Sequence, residues 1–265
     1  QFVTWKAGAW SVLAGIGAAT TRAAPTLSAA GKGAHLVFHG QDFQFYYANF
    51  DGAVWSPAAE MVGNFGPGPG AVATIGNGAV LVFHDGAQNN NFSSRQRSGN
   101  WQPLQVIEVN AQAFNLQAAV ATKAGDELVA VHAQNNGGQL RWSGRTGVWS
   151  APTDIVGVQT SAAPALAPFG MMQVALAFRG NDGRPYVATL SGNTWSAAAP
   201  LANPNPAIFG SPAIARGIAG AELEVVYLDG ATRTPRHVRR VAGVWSAPVT
   251  ISNTALERVA IASGP

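Results

Sequence analysis

The sequence predicts an all-β protein, a β-propeller of four-stranded antiparallel blades. Three observations predict it. Six tryptophans, Trp10, Trp55, Trp101, Trp149, Trp195 and Trp245, recur at intervals of 45 to 50 residues. Each follows a glycine by two or three positions (Gly8, Gly52, Gly99, Gly147, Gly192 and Gly243), and a serine stands directly after five of them. Between successive tryptophans lie short β-like runs separated by turns rich in Gly, Asn, Asp and Gln, and nowhere a long stretch of 3.6-residue periodicity. A period of this length made of strands is that of propeller blades, not of helical solenoids.

Each repeat carries the same four segments in order. The first is small and alternating, as in Ala71-Val72-Ala73-Thr74, Ala118-Ala119-Val120-Ala121 and Ser211-Pro212-Ala213-Ile214-Ala215; side chains this small suit strands crowded near a propeller axis. The second is β-branched and aromatic: Leu36-Val37-Phe38-His39, Leu81-Val82-Phe83-His84, Val129-Ala130-Val131-His132, Leu176-Ala177-Phe178-Arg179 and Val225-Val226-Tyr227-Leu228. A strand apolar on both faces is one sandwiched between neighbours. Hairpin signals such as Asn181-Asp182-Gly183 and Asp229-Gly230 follow. A third strand comes next, then a Gly turn, then a fourth strand holding the repeating Trp.

The chain ends complete the count. Phe2-Val3-Thr4-Trp5 aligns with third strands, Ala9-Trp10-Ser11 with fourth strands and Val259-Ala260-Ile261-Ala262 with first strands. Six blades is the simplest assembly, with five or seven as alternatives, and the ring closes through the N- and C-terminal strands. Residues 1–265 then form one domain, with blades over about 12–55, 56–101, 102–149, 150–195, 196–245, and 246–265 together with 1–11. A closed ring protects strand edges that would otherwise invite pairing with other chains.

Composition narrows the function. Hydrophobic residues make up 47% of the chain and charged residues 11%. That supplies ample core and a neutral, polar surface. The net charge of +3 is too small to argue for nucleic acid. The one basic cluster, Arg233, Arg236, His237, Arg239 and Arg240, has no interleaved aromatics for base stacking, and a solvated strand face explains it. The chain has no cysteine, hence no disulfide and no thiolate metal site. No apolar stretch approaches the roughly 20 residues that span a bilayer, so no membrane insertion is expected. Gln1 is consistent with processing of a secreted precursor, and a secreted, extracellular location is expected.

Two sets of recurring residues are candidates for binding. His39, His84, His132 and Arg179 end the second strand in four repeats, with Leu228 in the fifth. Such donors either satisfy neighbouring turn carbonyls or offer themselves to ligand hydroxyls. Trp55, Trp101, Trp149 and Trp195 either pack between blades or leave one face open to a sugar. The expected pockets lie beside the His/Arg set with these tryptophans as walls. Planar amides and carboxylates in the turns (Gln41, Asp42, Asp85, Gln88, Asn89, Asn90, Gln134, Asn135, Asn136, Asn181, Asp182) are explained by turn chemistry and also suit sugar hydroxyls. No metal site is expected, because equivalent positions on different blades lie too far apart to share an ion, and no cofactor is called for.

The repeated Gly-x-Trp-Ser-x-Pro, with the Pro-Ala-Leu-Ala and Leu-Val-Phe-His-Gly segments, resembles the β-propeller lectins of bacteria and fungi, including the Photorhabdus and Psathyrella types and, more distantly, the fucose-binding Aleuria type. The resemblance spans the whole chain. It implies a carbohydrate-binding protein with several near-equivalent weak sites for fucose- or N-acetylglucosamine-type sugars. Its partners would be glycans on cell surfaces or glycoproteins, in a multivalent and conceivably homo-oligomeric arrangement. A non-catalytic interaction or adhesion propeller is the alternative. Propeller glycoside hydrolases are the third class, but they need converging carboxylates, and here Glu222 and Glu224 alone lie close on one strand, within the surface alternation. No enzyme is expected.

Overall fold

A computed structural model of the chain describes residues 5–6, 9–10, 16, 20–21, 23, 25–65, 68–85, 91–111, 118–134, 137–201, 205–218 and 220–261. These residues form an all-β propeller. Five four-stranded antiparallel blades are present among them, the alternative count rather than six. Blade 1 comprises Thr26–Ala30, Gly33–His39, Gln44–Phe50 and Ala59–Phe65. Blade 2 comprises Ala71–Ile75, Gly78–Asp85, Asn91–Ser98 and Gln105–Glu108. Blade 3 comprises Ala119–Ala124, Glu127–Ala133, Gln139–Thr146 and Thr153–Gln159. Blade 4 comprises Ala165–Phe169, Gln173–Arg179, Pro185–Ser191 and Ala199–Pro200. Blade 5 comprises Ile208–Arg216, Leu223–Asp229, Pro235–Val241 and Val249–Thr250.

The first strands pack side by side in the order of the blades. All five line a central channel of about 570 Å³, and Glu257–Ile261 line it with them. Ala71, Ala118 and Ala163 stand on this wall: small side chains let five backbones converge on one axis. The terminal pieces read as parts of a sixth blade are not one sheet among the described residues. Trp5–Lys6 and Ala9–Trp10 pair with each other, while Val259–Ile261 reach the channel wall without joining a ladder. The sequence supplies no second strand there, so no four-stranded sheet can form around these ends. Phe2–Thr4, Ser11 and Ala262 lie outside the described residues.

The Gly-x-Trp-Ser-x-Pro motif has a local explanation. In blades 2 to 5 the Trp belongs to a two-residue segment that pairs with the end of the third strand, Trp101 with Arg97, Trp149 with Arg145, Trp195 with Leu190 and Trp245 with Arg240, and in blade 1 Trp55 makes a single bridge to Phe50. The ladder then breaks, and the outer strand resumes opposite the start of the same third strand. Each sheet therefore runs past the Trp at which the repeat was divided. The serine bridges the break in two directions. The Ser56, Ser150, Ser196 and Ser246 amides donate to the carbonyls of Asn49, Gly144, Thr189 and Arg239 at 2.7–2.8 Å. Their Oγ atoms accept from the amides of those same four residues at 3.0–3.1 Å. In blade 2, Gln102 keeps only the first of these bonds, to Gln96. Glycine is needed where the second strand starts. A Cβ on Gly33 or Gly78 would lie 2.0 Å from the carbonyl oxygen of Phe50 or Arg97.

The core lies between blades. Along each second strand, alternate residues face the preceding and the following blade. Leu81 and Phe83 pack with Val37, Phe45 and Tyr47 of blade 1, whereas Val80 and Val82 pack with Leu128 and Ala130 of blade 3. Both faces are apolar because both are buried. The four interfaces formed this way each carry the Trp of the later blade: Trp101, Trp149, Trp195 and Trp245. Trp55 lies on the free side of blade 1 with Leu36, Phe38 and Ile16.

Candidate functional site

The two nominated sets sit at opposite ends of the blades. His39, His84, His132 and Arg179 pair with Phe45, Phe92, Arg141 and Pro185 at the start of the third strands. The tryptophans pair at the other end, where the third strands lie opposite Ala34, Ala79, Leu128 and Val174. Four or five strand positions separate the sets, about 14–17 Å at the usual rise. Among the described residues the two sets therefore stand apart along each strand rather than side by side.

The four polar residues are also not equivalent. His39, His84 and Arg179 share the parity of Val37, Val82 and Ala177 and face the following blade. His132 shares the parity of Leu128 and Ala130 and faces the preceding one. The true counterpart of His84 in blade 3 is Ala133, which pairs with Leu140. The misalignment is a one-residue slip, and in a strand that reverses the face. Its consequence is that His84 and His132 meet across one interface, with ring centroids 5.8 Å apart. The argument that such residues lie too far apart to meet therefore fails for this pair. Among the described residues, no group of three or more His, Asp or Glu side chains is placed to hold a metal ion.

Each of these side chains is engaged locally. His39 is buried between the rings of Phe43 and Phe45. His84 packs on Phe92, and its ring nitrogens make no hydrogen bond among the described residues. Burial lowers its pKa to about 3; the His132 charge adds to this and Glu108 opposes it. His132 Nε2 lies 2.7 Å from Glu108 Oε2. Glu108 also contacts Arg141, which reaches Asp154 at 3.0 Å. Burial alone would push the Glu108 carboxyl up, but the His132 bond, that ring's charge and Arg141 outweigh it and hold it low. Arg179 donates to the Ile208 carbonyl and to Ser161 Oγ, both at 3.0 Å.

The turn residues follow their turn chemistry. Tyr46 and Tyr186 donate to Asp42 and Asp182 at 2.7 Å, which holds both carboxyls below their ordinary value. Gln88–Asn90, Asn135 and Asn136 lie outside the described residues. The basic cluster is neutralised in place: Arg233 pairs with Glu257, Arg236 with Asp229, Arg239 with Glu224 and Arg240 with Glu222. Glu224 is buried against His237 and Arg239 rather than lying on a surface alternation.

At the Trp end the structure assembles a different group. Tyr47 of blade 1 is buried in the seam between blades 1 and 2. The Trp101 ring meets it edge-on at 5.6 Å, and the Arg97 guanidinium lies over it at 4.7 Å. His35 Nδ1 bonds the Tyr47 hydroxyl at 2.7 Å, and Asn49 pairs with His35 across the ladder. Burial, then the Arg97 charge, lowers the His35 pKa, so the ring is neutral at neutral pH and Arg97 is the cation of the group. Only Trp101 was visible in the repeat. The overlooked signal is that the residue opposite each Trp is also periodic: Arg97, Arg145 and Arg240 in blades 2, 3 and 5, with Leu190 in blade 4 and Phe50 in blade 1.

No protein-family model and no curated protein matches this sequence. Solved structures do match in fold. The neighbours include bacterial and fungal propeller lectins. BP39L lectin from Burkholderia pseudomallei shares 20% identity at a TM-score of 0.71, over 94% of this chain and 76% of that one. The Aleuria aurantia lectin, described as a six-bladed β-propeller with a novel fucose recognition mode, shares 12% at 0.63, over 91% and 84%. The Hadza microbial sialidase Hz136 shares 10% at 0.60, over 91% and 61%. At these identities the likeness is one of fold, and the class defined is a β-propeller of the architecture that these lectins use.

Proposed function

We propose that this protein is a carbohydrate-binding propeller, a non-catalytic lectin that engages cell-surface glycans outside the cell. Several weak, metal-independent clefts between its blades would do so, taking sugars of the fucose or N-acetylglucosamine type. The observation that carries this reading is the side-chain group at the Trp end of the seam between blades 1 and 2. An indole, a guanidinium and an amide there surround a buried phenol, the combination that packs on C–H faces while donating to hydroxyls. The lectin neighbours support it, one of them described by its fucose recognition. The acids Glu222 and Glu224, tied to arginines, supply no free carboxylate pair for glycoside hydrolysis. Linked weak sites gain avidity on a dense glycan surface without new contacts.

The test is retention on immobilised monosaccharides and a glycan array, with elution by free sugar and with EDTA present. Sugar-specific elution that persists in EDTA and weakens in Trp101→Ala is expected. Binding to no sugar would give way to the adhesion-scaffold reading, and release of a cleaved sugar to the hydrolase reading.

A further inference from the structure

The seams between blades are not chemically alike at the Trp end, and the difference points to a ligand class. Arg145 is buried and donates to Gln96 at 2.8 Å. Arg240 lies over Phe169 and is paired with Glu222 at 3.5 Å. Between blades 3 and 4 the position is Leu190, beside Trp142 and Trp195. Arg97 differs from all of these. It is half-buried, and no carboxylate lies within ion-pair distance of it among the described residues.

We infer that the surface at the Trp end of the seam between blades 1 and 2 selects glycans bearing an anionic group, a carboxylate or a sulfate, and that Arg97 reads that group. This rests on the carbohydrate-binding reading. The Arg97 guanidinium is held 4.7 Å from the centre of the Tyr47 ring, and it carries five N–H donors in a planar fork. A planar fork held this way is preorganised for two parallel bonds to an oxyanion. Its neighbours oppose no anion: Trp101 and Tyr47 are neutral, Asn49 offers an amide, and His35 is hydrogen-bonded to Tyr47. Partial burial strengthens the attraction relative to an open surface arginine. The sugar body would then lie against Trp101 while the charged substituent meets Arg97.

The experiment is calorimetric titration with matched glycans: lactose, sialyllactose and sulfated lactose. The acidic members should bind about tenfold more tightly than lactose, by the strength of charge-assisted bonds, and the advantage should shrink in high salt. Arg97→Gln should erase the advantage, so that acidic and neutral sugars bind the variant alike. Arg97→Lys should keep part of it, because the charge remains and the fork is lost. Thermal unfolding of both variants checks that the fold is intact. Sialyllactose against sulfated lactose shows which anion fits. Equal binding of neutral and acidic sugars, or a preference that survives Arg97→Gln, overturns the inference and leaves the lectin reading standing. Binding to none of the three overturns the inference, while the lectin reading is decided by the monosaccharide columns and the glycan array.

Discussion

His84 should make this propeller lose stability in mild acid. Its ring is buried against Phe92 and His132, and its pKa is lowered to about 3 from the 6.5 of an exposed imidazole. The sign follows from which state takes the proton first. Between 6.5 and about 3 the unfolded chain is protonated at His84 and the folded chain is not, so stability is fully present above pH 6.5 and falls as the pH falls through this window. One pKa unit corresponds to about 1.4 kcal/mol, so moving from pH 7 to pH 5 costs on the order of 2 kcal/mol. In a domain of this size that is about 4–8 °C in Tm. The perturbation is His84→Leu, because Leu228 occupies the equivalent place in blade 5 and is fully buried there. Urea unfolding of both proteins at pH 7, 6 and 5 isolates the effect, since the other histidines are common to both. The variant should show a shallower dependence by about that amount. The window stops at pH 5 because Glu108, held low, loses its own contribution only below its ordinary carboxylate range. Equal slopes in the two proteins would refute the reasoning.

Three further outcomes follow from the fold. Ser196→Ala removes the acceptor for the Thr189 amide at the ladder break and should cost about 0.5–1.5 kcal/mol, read by chemical denaturation. Leu176→Ala opens a cavity between blades 3 and 4 at a fully buried site and should cost about 2–5 kcal/mol. Removing residues 256–265 deletes the Leu256 amide bond to the Arg233 carbonyl, the Arg233–Glu257 pair and the Val259–Ile261 wall of the channel. Differential scanning calorimetry should show a lower Tm with the far-UV spectrum unchanged, a loss of about 1–3 kcal/mol by the area these partly buried residues cover.

The blade was legible because its determinants are local and periodic. A Trp, the Ser after it and the Gly before it each serve one sheet, and each repeats wherever that sheet does. The second strands, apolar on both faces, revealed the sandwiching of blades. What escaped was whatever depended on parity or on two blades at once. His132 reads like His84 by position after a β-branched run, yet it stands one position earlier on its strand, which turns it the other way. Tyr47 and Arg97 are 50 residues apart in sequence, and their meeting depends on the packing of two blades. The terminal count failed for a related reason: Val259–Ile261 has the composition of a first strand, but composition alone supplies no neighbour to pair with.

The meeting of His84 and His132 invites one last test, because the other interfaces show what would replace them. Where His132 faces the preceding blade, the equivalent positions hold Phe83, Phe178 and Tyr227, each buried. The interface between blades 2 and 3 therefore carries an imidazole beside a carboxylate where its neighbours carry apolar packing. A buried pair repays its desolvation poorly, and well-packed apolar substitutes are often neutral or stabilising. His132→Ala should destabilise by several kcal/mol, since it opens a cavity at a fully buried site and removes one partner of the half-buried Glu108. His132→Phe combined with His84→Leu should instead be neutral or stabilising at pH 5, because Glu108 keeps Arg141 and no buried imidazole resists protonation. The two single substitutions should be non-additive, as expected for side chains in contact. Unfolding free energies for the wild type, both singles and the double at pH 5 decide it. A double variant weaker than either single would mean that the imidazole pair holds this interface together.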